Sequence, residues 1–433
     1  MISHATLGAI PADPNEVQFQ LLKTEIHREL VESLDLAAVG VADSEWLRRE
    51  VRELSEESIG RRKIKEPSLK QRLVNELGAE VFGHGPLEPL MTDPTISDIL
   101  VNNAHEVFIE RKGRLERTNI VFADDAHLLR IIQRIVSRVG RRIDEVSPMV
   151  DARLPDGSRV NAVVPPLALK GPKLSIRRFG TENLNVSRLI ENGSLSPAMT
   201  TFLLAAVQAR VSFLISGGTG AGKTTLLNAL SAGIPHDERI VSIEDSAELI
   251  LQHPHVVSME TRPVNSEGRG EVTQRDLVKN SLRMRPDRIL VGEVRGAEAL
   301  DMLQAMNTGH EGSLTTIHAN DTRDALSRLE MMVAMAGFEL PIRVVREYVA
   351  AGIKLVVHLG RLKGGVRRVT RISEIVGAVN GEYHLEDIFT FKTSGLDAHG
   401  VVKGQFAATG YKPRCLARFA DHGVTLDERL FQA

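Results

Sequence analysis

Residues 211–230 leave few folds open. The apolar run Val211-Ser212-Phe213-Leu214-Ile215-Ser216 enters Gly217-Gly218-Thr219-Gly220-Ala221-Gly222-Lys223-Thr224, and Thr225 to Leu230 has the spacing of a helix that follows at once. A buried strand, a glycine-rich turn and a helix start, in that order, aim consecutive backbone N–H groups at one point. The positive end of the helix dipole adds to their field there. The spacing G-x-x-x-x-G-K-[ST] then gives side chains their tasks: Lys223 bridges the outer phosphates of a nucleoside triphosphate, and the Thr224 hydroxyl is a ligand for Mg²⁺. Gly217, Gly218, Thr219, Gly220, Ala221, Gly222, Lys223, Thr224 and Thr225 are therefore the expected binding set for ATP with Mg²⁺. The competing reading is a tight glycine-rich turn that packs with no ligand.

At 433 residues and 42% hydrophobic content, the chain has material for two or three ordinary domains. No stretch approaches about eighteen uninterrupted apolar residues. Met1-Ile2-Ser3-His4 lacks the basic and apolar segments of a secretory leader, so the expectation is a cytoplasmic protein with peripheral membrane association. One cysteine, Cys415, leaves no internal disulfide framework. The formal net charge of −2 gives no global pull toward nucleic acid, and no nucleic-acid partner is expected. The basic clusters Arg111 to Arg117, Arg138 to Arg142 and Arg361 to Arg371 read as solvated faces, because aromatic residues, at 4%, are too sparse to stack bases.

Patterning changes along the chain. Residues 1–78 carry Glu, Arg, Leu and Lys at helical spacing, as in Val17 to Leu30 and Trp46 to Val51, and read as a helical bundle or interaction helices. From 79 to 185, after Gly83-His84-Gly85-Pro86, strand-like pieces at Ile96 to Asn102, Glu106 to Glu110 and Val160 to Val164 mix with a helix over Ala126 to Val139. Residues 186–198 read as a linker whose Pro197 begins a helix. From 199 to 433 strands and helices alternate to about residue 360, as in a parallel sheet flanked by helices. The tail is expected as strands over Arg367 to Phe391, a glycine-bearing irregular stretch and a short helix near Leu426. The fold class expected is thus α/β, preceded by a smaller α+β domain and a helical segment.

Three polar clusters follow the loop in the order a nucleotide-hydrolysing core needs. The strand Ile240-Val241-Ser242-Ile243 ends in Glu244-Asp245, with Glu248 close behind. Glu244 and Glu248 are expected near the metal and its water shell, unless Glu244 and Asp245 cap the next helix. Ile289-Leu290-Val291 reads as a fully buried strand with Glu293 at its carboxyl end, where such sheets bind ligands. There it would hold the Mg²⁺ water shell or polarise an attacking water, or else pair with Arg295. In Thr308-Gly309-His310-Glu311-Gly312-Ser313-Leu314-Thr315-Thr316-Ile317-His318, a strand delivers His318 beyond a turn that holds His310. Both are expected to report on the γ-phosphate, the alternative being hydrogen-bonded packing histidines. No Cys or carboxylate completes a zinc set at the usual spacing.

Taken in order, these boxes resemble the secretion ATPases of type II and type IV systems, a family that includes pilus extension and retraction motors. Gly217 to Thr224 resembles its Walker A box, Ile243-Glu244-Asp245 its Asp box, Ile289 to Glu293 its atypical Walker B box, and Gly309 to His318 its His box. Asp151-Ala152-Arg153-Leu154-Pro155-Asp156-Gly157-Ser158-Arg159-Val160-Asn161, Ser175-Ile176-Arg177-Arg178-Phe179, Arg283-Met284-Arg285-Pro286-Asp287 and Thr315 to Asn320 bring the chain nearest the CpaF-type ATPases of tight-adherence (Flp) pili. The resemblance spans approximately residues 70 to 415. It implies a RecA-like ATPase domain over 199–433, a PAS-like domain before it, and a homo-hexameric ring. It implies catalytic roles for Glu293, Glu244, Arg177, Arg159 and His318. Arg153, Arg178 and His310 join the nucleotide site by the same resemblance, and Glu293 meets Mg²⁺ through water. Planar guanidinium groups suit such a phosphate clamp; the plainer reading is surface arginines bridging two sheets. The resemblance also implies work on an inner-membrane pilus platform protein, from the cytoplasmic face.

Two departures refine it. With one cysteine the chain lacks the paired Cys-x-x-Cys module of type II relatives, and no counterpart of the C-terminal helix motif of dedicated retraction motors is present. Both favour the tight-adherence branch. A conjugative-type secretion ATPase is the near alternative, with a DNA-transport motor and a nucleotide-regulated scaffold beyond it.

Overall fold

Helical spacing in the N-terminal stretch gives α1 (Pro14–Ser33), α2 (Ser44–Arg61) and α3 (Pro67–Phe82), which close a small core of Phe19, Ile26, Leu30, Ile59, Leu73 and Leu77. The computed structural model describes residues 14–33, 44–111, 114–178, 185–264, 269–379 and 381–432; Met1 to His4 and Phe179 lie outside them. The chain divides into two compact units, Met1–Thr181 and Glu182–Ala433.

In the first unit the short α4 (Glu88–Thr92) leads to an antiparallel sheet. Its strands are β1 (Ile96–Asn103), β2 (Glu106–Arg111), β3 (Arg114–Arg117), β4 (Met149–Arg153), β5 (Arg159–Val163) and β6 (Lys173–Arg177), in the order β3-β2-β1-β6-β5-β4. Helix α5 (Asp125–Ser137) has apolar residues at 128, 131, 132, 135 and 136, one stripe at helical spacing, and its N-cap Asp124 accepts a hydrogen bond from the His127 N–H. That stripe packs on Ile99, Val101, Val160, Leu174 and Ile176 of the sheet. A buried ionic cluster joins α5 to the N-terminal helices. Lys23, wholly buried, lies 3.0 Å from Glu76 and 2.9 Å from Glu80, and Glu80 meets His127 at 3.0 Å. Burial pushes the Glu80 carboxyl up, but the His127 hydrogen bond and the Lys23 charge outweigh it and hold it at about 2. The border expected at residue 78 therefore falls inside α3, and through Glu80 the helices belong with the α+β body.

The second unit begins where a linker was expected. Residues 186–198 instead hold α6 (Val186–Glu191), capped by the Asn185 side chain, and the start of α7 (Pro197–Gln208), with Leu189 and Leu195 in the core. A nine-stranded sheet follows, in the order β15-β14-β13-β12-β7-β11-β10-β8-β9. Strands β7 (Phe213–Gly217), β8 (Ile240–Glu244), β9 (Val256–Glu260), β10 (Arg288–Val291), β11 (Leu314–His318) and β12 (Leu355–Arg361) run parallel. Strands β13 (Arg367–Val379), β14 (Glu382–Leu396) and β15 (Val402–Ala408) extend it antiparallel.

Both faces of the parallel part are covered, which is why its strands read as unbroken apolar runs. Phe213, Ile215 and Leu290 face a core with α7 and α8 (Lys223–Ser231). Leu214, Ile289 and Val291 face the other, built by α9 (Gln274–Ser281), α10 (Glu298–Asn307), α11 (Thr322–Ala334) and α12 (Ile342–Gly352). In the tail, the stretch expected to be irregular pairs as the β14–β15 hairpin. The last helices are α13 (Leu416–Asp421) and a 3₁₀ turn at Glu428–Phe431, with Leu426 between them. Among the described residues no helix is long and apolar enough to cross a membrane.

At the amino ends of the parallel strands Arg288, fully buried, donates to both Glu238 oxygens and to the Val207 carbonyl at 2.7 Å. Arg210 adds contacts of 3.2 Å to Glu238 and 3.3 Å to Asp287. A buried guanidinium persists only when its donors are met in this way.

Candidate active site

The glycine-rich loop lies at the carboxyl end of β7. Gly220 (φ +69°) and Gly222 (φ +99°) adopt left-handed backbone that a Cβ would strain, and a methyl group built on Gly217 would lie 2.5 Å from the Leu359 carbonyl oxygen. Gly222 caps α8 and, as a glycine, brings no side-chain cap to that first turn. Lys223 is buried and turns its ammonium back into the loop, 3.1 Å from Gly217 O and 3.2 Å from Gly218 O. Left-handed glycines, a helix start and an inward ammonium together fit the phosphates of ATP. Thr224 and Thr225 follow in the first turn, half-buried.

Parallel pairing sets β11 beside β7, with His318 opposite Gly217. His318 Nε2 accepts from Lys223 Nζ at 3.2 Å and also lies 2.7 Å from Glu293 Oε1. That carboxylate oxygen is buried and has no hydrogen-bond partner among the described residues. One ring nitrogen cannot accept from the ammonium and donate to the carboxylate at once, so the three groups compete for a single proton position. Burial lowers the His318 pKa, and Lys223 and Arg328 lower it further, which favours the neutral ring. The other Glu293 oxygen takes Arg295 at 2.6 and 3.0 Å, and Arg295 also reaches Asp245 at 3.1 Å. Gln274 holds the Glu293 carbonyl at 2.8 Å and Thr316 that of Gly292 at 2.7 Å.

Two expected residues behave otherwise. Glu244, also buried, accepts from the N–H groups of Glu248 (2.8 Å) and Leu249 (3.0 and 3.2 Å) and so helps to shape the loop after β8, where no helix follows. It borders Gly292, the residue before Glu293, since a methyl on Gly292 would lie 2.8 Å from Glu244 Cγ. His310 precedes β11, whereas His318 ends it. Its neighbours are the amino ends of the sheet: Gly312 N–H donates to Ser212 Oγ at 2.9 Å, and Arg288 reaches the Gly312 carbonyl at 3.4 Å. The strand thus carries the two histidines to opposite ends of the sheet, and His310 does not belong to the loop's surroundings.

In the first unit, strand register aligns three of the four expected arginines. Arg153 pairs with Arg159 across β4 and β5, Arg159 with Arg177 across β5 and β6, and Arg177 with Asp98 across β6 and β1. They form one row on the face turned from α5, with Arg177 3.9 Å from Asp98. Arg178, next in sequence, donates instead to the Asp93 carbonyl.

The model of the type II/IV secretion system protein family matches residues 80–371. The chain belongs to that family. Members of this secretion family hydrolyse ATP, and the chain is an ATPase. A putative conjugal transfer protein of Mycobacterium tuberculosis H37Rv is 42% identical over 303 residues, 69% of this chain and 86% of its own length. The type IV secretion system protein VirB11 of Brucella suis is 33% identical over 301 residues, 63% and 83% of the two chains. The crystal structure of the Brucella suis VirB11 ATPase in complex with sulphate is 31% identical, covering 68% of this chain and 97% of that one, with a TM-score of 0.37.

Within this secretion ATPase the fold adds residues that sequence reading passed over. Gln274 stands in α9, far from any box, and nothing in the sequence marks it. Arg295, read from the sequence only as a structural partner for Glu293, also links it to Asp245. Arg361 and Arg367, taken for a solvated face, lie against the phosphate loop.

Proposed function

We propose that this ATPase is the motor of a tight-adherence (type IV-like) pilus, a homo-hexamer that hydrolyses ATP with Mg²⁺ at the cytoplasmic face and acts through an inner-membrane platform protein. The observation that carries the hydrolytic part is the chain of contacts from Lys223 through His318 to Glu293 beside the glycine loop. The parallel-rich second unit is read as RecA-like and the α+β body before it as PAS-like. The pilus assignment rests on the resemblance of residues 151–161, 175–179 and 283–287 to the CpaF type.

Mg²⁺, when bound, screens charge on the outer phosphates. Lys223 holds those phosphates by its ammonium, and Thr224 offers the metal its hydroxyl. Glu293, fixed by Arg295 and Gln274, orients water and takes a proton. His318 is then poised to exchange its Lys223 contact for Glu293 when the γ-phosphate leaves, which is the signal the ring would use. Arg153, Arg159 and Arg177 are read as the clamp that the first unit supplies to the phosphates in the assembled ring, with Arg178 bracing their strand.

A second reading, a conjugal-transfer ATPase, is favoured by the 42% identity to a protein of that name. Deleting the gene in its host separates the two. Loss of surface pili, restored by the intact gene and not by a Lys223→Ala copy, is the expected result. Intact pili with lost plasmid transfer would replace the pilus reading with the conjugal one.

A further inference from the structure

Strand β12 carries one polar side chain into the apolar layers of the sheet. Leu355, Val356, Val357 and Leu359 are buried in the two cores, and His358 stands among them, half-buried. Strand pairing sets it directly beside Ser216, the residue before Gly217, and its Nδ1 lies 2.9 Å from the Ser216 hydroxyl oxygen. Ser216 is wholly buried. Apolar side chains in these two places would fill the sheet with no polar atom to satisfy, so a buried pairing of hydroxyl and imidazole is a cost that packing does not explain.

The ring has a second attachment. It hydrogen-bonds to the main chain of Asn320, just beyond His318, with the Asp321 and Asp324 carboxylates acting on it from that turn and Arg371 from β13. Burial is the largest influence and holds its pKa below the ordinary 6.5, so near neutrality the ring is uncharged, with one nitrogen for Ser216 and the other for Asn320. The turn it meets is itself fixed. Asp324 accepts from the Asn320 N–H at 2.7 Å, and Asp321 caps α11 through the Asp324 N–H at 2.8 Å. The Ala319 N–H donates to the Gly217 carbonyl at 3.3 Å. His358 therefore joins, through one rigid ring, the strand that enters the phosphate loop to the turn that follows His318. Those two segments carry the groups that meet at 3.2 Å, Lys223 and His318.

We propose that His358 is a positioning residue for ATP hydrolysis, a strut between Ser216 and Asn320 that keeps Lys223 and His318 in register while the phosphates change. The proposal rests on the reading of the loop and of His318 given above. Nucleotide is gripped by the loop itself, so the strut bears on turnover and not on binding.

The test is steady-state phosphate release at varied ATP with Mg²⁺, with the ligand-free melting temperature of each protein. The proteins are the parent chain, His358→Leu, His358→Gln, Ser216→Ala, the double variant Ser216→Ala with His358→Leu, His318→Ala and Lys223→Ala. His358→Leu and Ser216→Ala are each expected to lower kcat about tenfold, the worth of roughly one hydrogen bond, with KM unchanged. Ser216→Ala removes a single oxygen and tests the link even where His358→Leu does not fold. The double variant should fall no further than His358→Leu, because both changes cut the same link. His358→Gln, which keeps a hydrogen-bonding end, should recover part of the rate. If His318→Ala is slow while His358→Leu and Ser216→Ala turn over as the parent does, the strut is overturned and the His318 reading stands. A raised KM with parent-like kcat overturns the positioning role, and losses that multiply in the double variant overturn the shared link. A melting temperature that falls in step with kcat across the variants, His358→Gln included, makes the pair structural and overturns the proposal. Parent-like turnover in His318→Ala or in Lys223→Ala overturns the reading of the site on which the strut depends.

Discussion

Lys223 and Glu293 divide binding from chemistry, and substitution should separate them. Removing the Lys223 ammonium takes away the cation that turns into the loop, so Lys223→Ala is expected to lose nucleotide binding and turnover together. Glu293→Gln keeps the shape and the Arg295 neighbour but cannot take a proton. It should bind ATP normally while turnover falls by about 10² to 10⁴. Binding by fluorescent nucleotide and steady-state phosphate release measure the two properties, and parent-like turnover in Glu293→Gln would remove that residue from the reaction. That the glycine loop, Lys223 and Glu293 lie at one end of the parallel strands was legible from spacing, while the tasks given to them are the proposal above. Glu244 was less so, since a carboxylate at a strand end serves a metal or a loop equally well, and its bonds to the Glu248 and Leu249 N–H groups could not be read from spacing.

Elements explain what spacing could not. His310 and His318 look like one box in sequence, yet a strand rises about 3.3 Å per residue, and the five residues of β11 are enough to carry them to opposite edges. Register did the reverse for Arg153, Arg159 and Arg177, which are scattered in sequence and aligned by pairing. The limits of the parallel sheet and of α5 followed from apolar periodicity, whereas α6 was missed because its single buried turn has too few residues to show any. The α3–α5 junction gives a pH dependence. The Glu80 carboxyl is depressed from its ordinary 4.5 to about 2, so the stability it contributes is present above pH 4.5 and is lost as pH falls toward 2. Glu80→Gln should lower stability near neutrality by roughly 3 kcal/mol and flatten the loss between those pH values, because Lys23 stays buried with less compensation. Urea unfolding followed at a series of pH values measures it; an unchanged acid slope would mean that the cluster is not linked to folding.

For the whole molecule, the expected outcome is turnover that depends on assembly. If the arginine row of the first unit completes the phosphate site only in the ring, the rate per chain should rise with protein concentration as particles of six chains form, and Arg177→Ala should cut turnover while leaving the particle mass unchanged. Mass photometry on the assay samples, with and without DNA, checks this. Full activity in single chains would assign the clamp to each chain's own residues, and stimulation by DNA would favour the transport reading.

The buried Arg288 network bears on how such a ring could do work. Arg288 joins Glu238, Val207 and the Gly312 turn beneath the parallel strands, at the edge away from the phosphate loop. Sliding one strand past the next would strand a positive charge in the core, so that edge acts as a fixed foot. If phosphate departure displaces the opposite rim, this anchored edge would make the expected motion a tilt about a pivot rather than a piston stroke.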